Sequence, residues 1–321
     1  MKKYAALLSA FVLLAFTANN LSFAVSGKQP TAKDVIKIDV ESELYQQARI
    51  ELNKSLYQSY RIVERISRAN NLNDFSWRIY IPSGISNSEI NAYAADGNLV
   101  VLFPLLVDIF SDDVSSLAFV IAHEMAHNYL KHPAKYKKYE EQTKEEYKEF
   151  SCPKEMEAEE ILKERFLLSE VIGFWSAYFI YNLRAKDFQN DINNKQEAIN
   201  EDLFGFSRKL EYEADKTALI YLIRAGFDLN KAPRSFELMD RLPEAAYEPT
   251  THPSNKNRAW QIKSLLKTLD IQKLKAEGQR NFKNSKPLTY ERSLDKKSLK
   301  INSKFGSYGD VNEPFKKLFG K

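Results

Sequence analysis

The chain has 321 residues, 44% of them hydrophobic and 28% charged, with a formal charge of +4. This is enough apolar material for a sizeable core, which excludes a disordered chain or a disulfide-stapled miniature, and the small net charge makes no case for nucleic acid as a partner. The single cysteine, Cys152, excludes an intramolecular disulfide and suits the cytosol or a bacterial periplasm equally.

In chain order, Lys2 and Lys3 precede an apolar run from Tyr4 to Ala18, and Ser22-Phe23-Ala24 offers small residues where signal peptidase cuts. Residues 1–24 therefore read as a cleavable signal peptide, because the run is shorter than the roughly 20 residues that span a bilayer. Export to a periplasm is the expectation. Val40 to Asn70 carries apolar residues at helical spacing. Ser76 to Ile81 is strand-like, and Asn91 to Ala95 and Asn98 to Phe103 flank the hairpin pair Asp96-Gly97, with Pro104 stopping the second strand. Ser111-Asp112-Asp113 caps a helix that runs to about His132, where Pro133 ends it.

The stretch Ala134 to Glu164 is dense in Lys and Glu and reads as a solvated helix or lid. Phe166 to Leu183 is strongly apolar but holds Glu170 and Asn182, which fits a buried helix better than a membrane span. A further helix covers about Asn200 to Ala225, closed by Gly226, and a shorter one follows Pro253. From Gly278 the chain turns polar and basic. The expected organisation is one main domain over 25–277, with a helical insertion or lid at 134–206, and a basic, partly ordered tail over 278–321. The elements give an α+β chain, predominantly helical, with a small antiparallel sheet beside one central helix.

That helix contains His123-Glu124-Met125-Ala126-His127. Residues four apart share a helix face, so both imidazoles can bind one Zn²⁺, and Glu124 beside them can take a proton from water acidified by the metal. The neighbours Phe119, Val120, Ile121, Ala122 and Ala126 mark a core helix, where polar side chains are costly unless something satisfies them. A third ligand is required, and Glu211-Tyr212-Glu213-Ala214-Asp215 supplies candidates. Glu211 shares the inward face with Ala214, Asp215 and Ala218, whereas Glu213 lies between Lys209 and Lys216, the place for a surface ion pair. Glu211 is therefore the expected ligand, and Asp215, one turn on, the group that orients an imidazole N–H.

These residues resemble the HtpX-like and CAAX-prenyl-endopeptidase-like family of gluzincin metallopeptidases, especially its soluble periplasmic members. The similarity runs through Ile90-Asn91-Ala92-Tyr93-Ala94, Gly97 to Val101, the His-Glu-x-x-His helix, Ser207-Arg208 with Glu211 to Asp215, and Thr251-His252-Pro253 with Arg258. The resemblance implies a zincin-like fold and one Zn²⁺ per chain. It also implies an active-site role for His252, as oxyanion stabiliser or reversible zinc cap, and for Arg258, as a cation for the tetrahedral intermediate. It further implies that Asn98, Leu99, Val100, Val101 and Leu102 form an edge strand that adds an extended substrate.

Together with export, these features predict an endopeptidase acting on unfolded or misassembled envelope proteins. The competing readings are a chaperone-like binding protein with a capped or structural zinc, and attachment to a membrane through Phe166 to Leu183 or the basic tail.

Overall fold

In this computed structural model the described residues are 42–82, 90–148, 174–241 and 253–302. The expected signal peptide, Cys152, His252 and residues 303–321 lie outside them.

The first amphipathic stretch forms two helices, α1 (Glu43–Glu51) and α2 (Lys54–Ala69). Asn53 separates them: its side chain accepts a hydrogen bond from the Leu56 N–H at 2.9 Å, so a local cap interrupts a continuous apolar period. The sheet comprises β1 (Trp77–Tyr80), β2 (Ala92–Ala95), β3 (Leu99–Leu102), β4 (Tyr290–Arg292) and β5 (Ser298–Ile301), in the order β2-β3-β1-β5-β4. It is mixed, because β1 pairs in parallel with β3 while the other neighbours are antiparallel. In the β2–β3 turn the positive φ values fall on Gly97 (78°) and Asn98 (57°). Both residues tolerate the left-handed region, glycine through its missing Cβ and asparagine through local hydrogen bonding.

Two expectations are corrected by this sheet. Leu99, Val100, Val101 and Leu102 do not form an edge: β3 is buried and paired on both sides, with β2 and with β1. The Asn98 carbonyl is likewise taken by the Arg78 N–H at 2.9 Å. Among the described residues the edge on this side is β2. The second correction concerns the chain after Gly278, which is not merely a tail. It completes a helix and then supplies β4 and β5, and β5 lies inside the sheet with Leu299 and Ile301 fully buried.

Pro104 both stops β3 and occupies the first turn of a short helix, α3 (Pro104–Ile109), where its missing N–H costs nothing. Next comes α4 (Val114–Tyr129), capped by Asp113, whose side chain accepts from the Ser116 N–H at 3.4 Å. It ends earlier than the sequence suggests. Lys131 adopts φ 57°, and α5 (His132–Lys148) starts immediately, so Pro133 opens a helix instead of closing one. The long α6 (Phe174–Ala225) extends well before Asn200 and closes at Gly226 with φ 79°. Then follow α7 (Lys231–Met239), α8 (Asn255–Thr268) and α9 (Ile271–Asn284). No helix among the described residues is long and apolar enough to cross a membrane.

α4 is the hub, packing against α2, α6, α7 and β2. Its Leu117, Ile121 and Met125 are fully buried, as are Leu219 and Leu222 of α6, and Phe119 meets Phe236 of α7 edge-on at 5.3 Å. α5 packs on α6, with Tyr139 stacked on Phe206 at 4.1 Å.

The end of α6 is fixed by α9 at backbone contact. A Cβ on Gly278 would collide with the Arg224 carbonyl, whereas one on Gly205 would meet only the Arg208 guanidinium at 3.8 Å. Gly278→Ala should therefore force the two helices apart and cost about 1–3 kcal/mol, as overpacking does. Gly205→Ala, in a helix interior with room, should be neutral or stabilising by about 1 kcal/mol. Thermal unfolding of the two variants checks this; equal midpoints would show that the α6–α9 contact is not tight.

Candidate metal centre

Four elements meet at one place. α4 presents His123, Glu124 and His127, and α6, packed against it, presents Glu211 and Asp215 one turn apart. The first turns of α8 and α5 bring Arg258 and His132. The helical spacing of both pairs does the aligning: an i,i+4 pair on each helix faces the other across the shared core.

His123, His127 and Glu211 each offer a ligand atom, and these atoms lie within 4.8 Å of one another. The two Nε2 atoms are 3.0 Å apart, with Glu211 Oε2 3.3 Å from His123 Nε2 and Oε1 3.3 Å from His127 Nε2. His123 Nδ1 lies 3.0 Å from Asp215 Oδ1, which fixes the imidazole proton on that side and leaves the Nε2 lone pair pointing inward. Two imidazole lone pairs and a carboxylate converging in a buried space repel one another unless a cation lies between them. The donor set of two nitrogens and one oxygen therefore fits a divalent metal of the borderline class.

The electrostatics point the same way. Burial and the neighbouring Arg258 disfavour a charge on His123, yet its hydrogen bonds to Asp215 and Glu211 outweigh them and push its pKa up to about 10. Positive charge is thus demanded where the donors meet. Asp215 is fully buried, which opposes its charge, but Arg258 holds its carboxyl below the usual range. That pair is bidentate, Nε to Oδ2 at 2.8 Å and Nη2 to Oδ1 at 2.7 Å, and Nη2 also lies 3.3 Å from Glu211 Oε2. The guanidinium is sandwiched against the Phe236 ring at 4.4 Å. It therefore braces the carboxylates behind the donors.

Glu124 is buried beside the two histidines and lines a cleft of about 400 Å³. β2 from Ala92 to Ala94 forms one wall, and Tyr136, Phe236 and Met239 lie opposite or around it. The structure thus brings together His123, Glu124, His127, Glu211, Asp215 and Arg258. Asn98 and Leu99 to Leu102 are not among the residues lining this cleft.

Two participants were not anticipated. His132 is 2% exposed, with Nδ1 3.0 Å from His127 Nδ1 and Nε2 3.3 Å from Glu213 Oε2. Glu213, expected between Lys209 and Lys216, turns to His132 and to Lys135, 3.7 Å away. Burial, and then the proximity of His127, push the His132 pKa down to about 4, so its ring is neutral near pH 7. The available signal was a histidine five residues past the motif, beside a proline that begins a new helix.

The chain matches the model of peptidase family M48 over residues 57–144 and 155–266. It is similar to the mitochondrial metalloendopeptidase OMA1 of Schizosaccharomyces pombe, 26% identical over 223 residues (68% of this chain, 55% of that protein). It is also similar to the mitochondrial metalloendopeptidase OMA1 of Arabidopsis thaliana, 26% identical over 192 residues (59% of this chain, 32% of that protein). The chain therefore spans about half and about a third of the length of these curated relatives. No solved structure matches it significantly. The family match covers more than half of the chain and contains every one of the converging groups, so this chain belongs to peptidase family M48.

Proposed function

We propose that this chain is a zinc-dependent endopeptidase of the HtpX-like branch, cleaving extended segments of unfolded or misassembled cell-envelope proteins with Glu124 as general base. The observation that carries the reading is the position of Glu124, buried beside His123 and His127 at a cleft walled by an edge strand. A binding site needs no such carboxylate next to its ligands, whereas hydrolysis does.

Zinc fits the donor set of two imidazoles and a carboxylate, and when bound it would supply the Lewis acidity that acidifies water and polarises the scissile carbonyl. His123, His127 and Glu211 would hold it. Glu124 takes the proton of the attacking water and delivers it to the leaving amine nitrogen, which completes hydrolysis of the peptide bond. Arg258 keeps Asp215 and Glu211 in register behind the ligands.

An extended substrate adds to β2 instead of β3, since β2 is the edge among the described residues and walls the cleft. Backbone pairing of that kind tolerates many sequences but requires an unfolded chain. The envelope location rests on Lys2, Lys3 and the apolar run after them.

Glu124→Gln should retain one zinc per chain while cleavage of a permanently unfolded protein falls about 10²–10⁴-fold. Parent-like cleavage by this variant would remove Glu124 from the chemistry. Suppression of aggregation by both proteins with cleavage by neither would favour a binding protein instead. Chelation should abolish parent activity and stoichiometric zinc should restore it; activity that persists in chelator after metal analysis reads zero would contradict the zinc reading.

A further inference from the structure

We propose that His132 and Glu213 form a positioning relay for His127, setting its tautomer and ring orientation and thereby the zinc affinity of the site. This rests on the reading of His123, His127 and Glu211 as metal ligands.

The relay depends on a local break in the chain. Had α4 continued, His132 would sit five residues past His127, about 140° further around the helix and facing away from it. Instead, the Leu130 N–H still bonds back to the Ala126 carbonyl at 2.9 Å, Lys131 turns into the left-handed region at φ 57°, and the Lys135 N–H bonds to the Lys131 carbonyl at 3.0 Å as α5 begins. The reversal folds His132 back onto the ring it would otherwise avoid. The two rings meet edge to face, centroids 4.9 Å apart at 84°.

Proton placement then follows from one end to the other. His127 Nε2 belongs to the converging donor set, so its ring proton lies on Nδ1. Nδ1 donates to His132 Nδ1 at 3.0 Å, which leaves the His132 proton on Nε2, facing Glu213 Oε2 at 3.3 Å. The terminal carboxylate accepts and thereby selects the tautomer of both rings. A hydrogen-bonded partner on the far nitrogen of a metal-binding imidazole raises its basicity and restricts its rotation.

The two histidine ligands are therefore supported differently. His123 leans on Asp215 and Arg258, both buried. His127 leans on a chain that ends at a carboxylate 47% exposed, shared with Lys135.

The test compares zinc affinity, by competition with a chromophoric chelator, in the parent, His132→Phe, His132→Asn and Glu213→Ala, with unfolding midpoints of the zinc-free proteins alongside. Phenylalanine fills the buried site but cannot accept the His127 proton, so affinity should fall about 10–100-fold with the zinc-free midpoint little changed. Asparagine, which can still accept at Nδ1's place, should recover part of that loss. Glu213→Ala should weaken zinc binding through the same path, and adding it to His132→Phe should cost nothing further. Parent-like affinity in Glu213→Ala, or fully additive losses in the double variant, would overturn the relay even if His132→Phe failed to fold. A parent that binds no zinc would overturn the metal reading itself, and is distinguished from failure of the relay by that first measurement.

Discussion

The structure depends on one interface, the packing of α4 against α6, because it brings ligand-type groups from both helices together at one buried place. Three carboxylates, Glu124, Glu211 and Asp215, are buried there with one guanidinium, Arg258, and two imidazoles. With both imidazoles neutral, the form in which they bind a metal, a formal count leaves two negative charges, which a divalent cation balances. Buried charges of this kind are tolerated only when paired or coordinated. The apolar surface that packs α4 thus also buries the groups that would hold an ion.

Support for the donors is layered. Asp215 and Arg258 hold His123 and Glu211 from behind, and the Arg258 ring contact with Phe236 ties them to α7, which itself packs on α4. β2 lies across the opening as the sheet edge, while Asn128 of α4 donates to the Leu99 carbonyl of β3 at 3.0 Å and anchors the helix to the sheet. The cleft is thus a seam between a rigid helix pair and the strand nearest them.

Much of the site was legible because it obeys local rules. The spacing of His123 and His127, the inward face that Glu211 shares with Ala214 and Ala218, and the cap at Asp113 all follow from helix geometry, and the structure preserves them. The contrast between Glu211 and Glu213 also held as far as burial is concerned, with Glu211 5% exposed. What it missed was the partner of Glu213. The Lys131 reversal is a single left-handed residue that no glycine announces, so an ideal helix through His132 was the natural extrapolation and it pointed that side chain the wrong way. The error over β3 has another cause. Its second neighbour, β1, pairs in parallel across a sequence gap, and such pairing leaves no local signature. The C-terminal hairpin was obscured by composition: β5 carries Lys300 between the buried Leu299 and Ile301, so two apolar positions hid in a basic segment.

His123, His127 and Glu211 converge on one point that a divalent ion would occupy. X-ray absorption of the zinc-loaded protein tests it most directly. The expected result is two imidazole nitrogens at about 2.0–2.1 Å with oxygen completing the shell, and a changed spectrum with weakened binding in Glu211→Ala. A sulfur neighbour, or a spectrum and affinity untouched by Glu211→Ala, would contradict it.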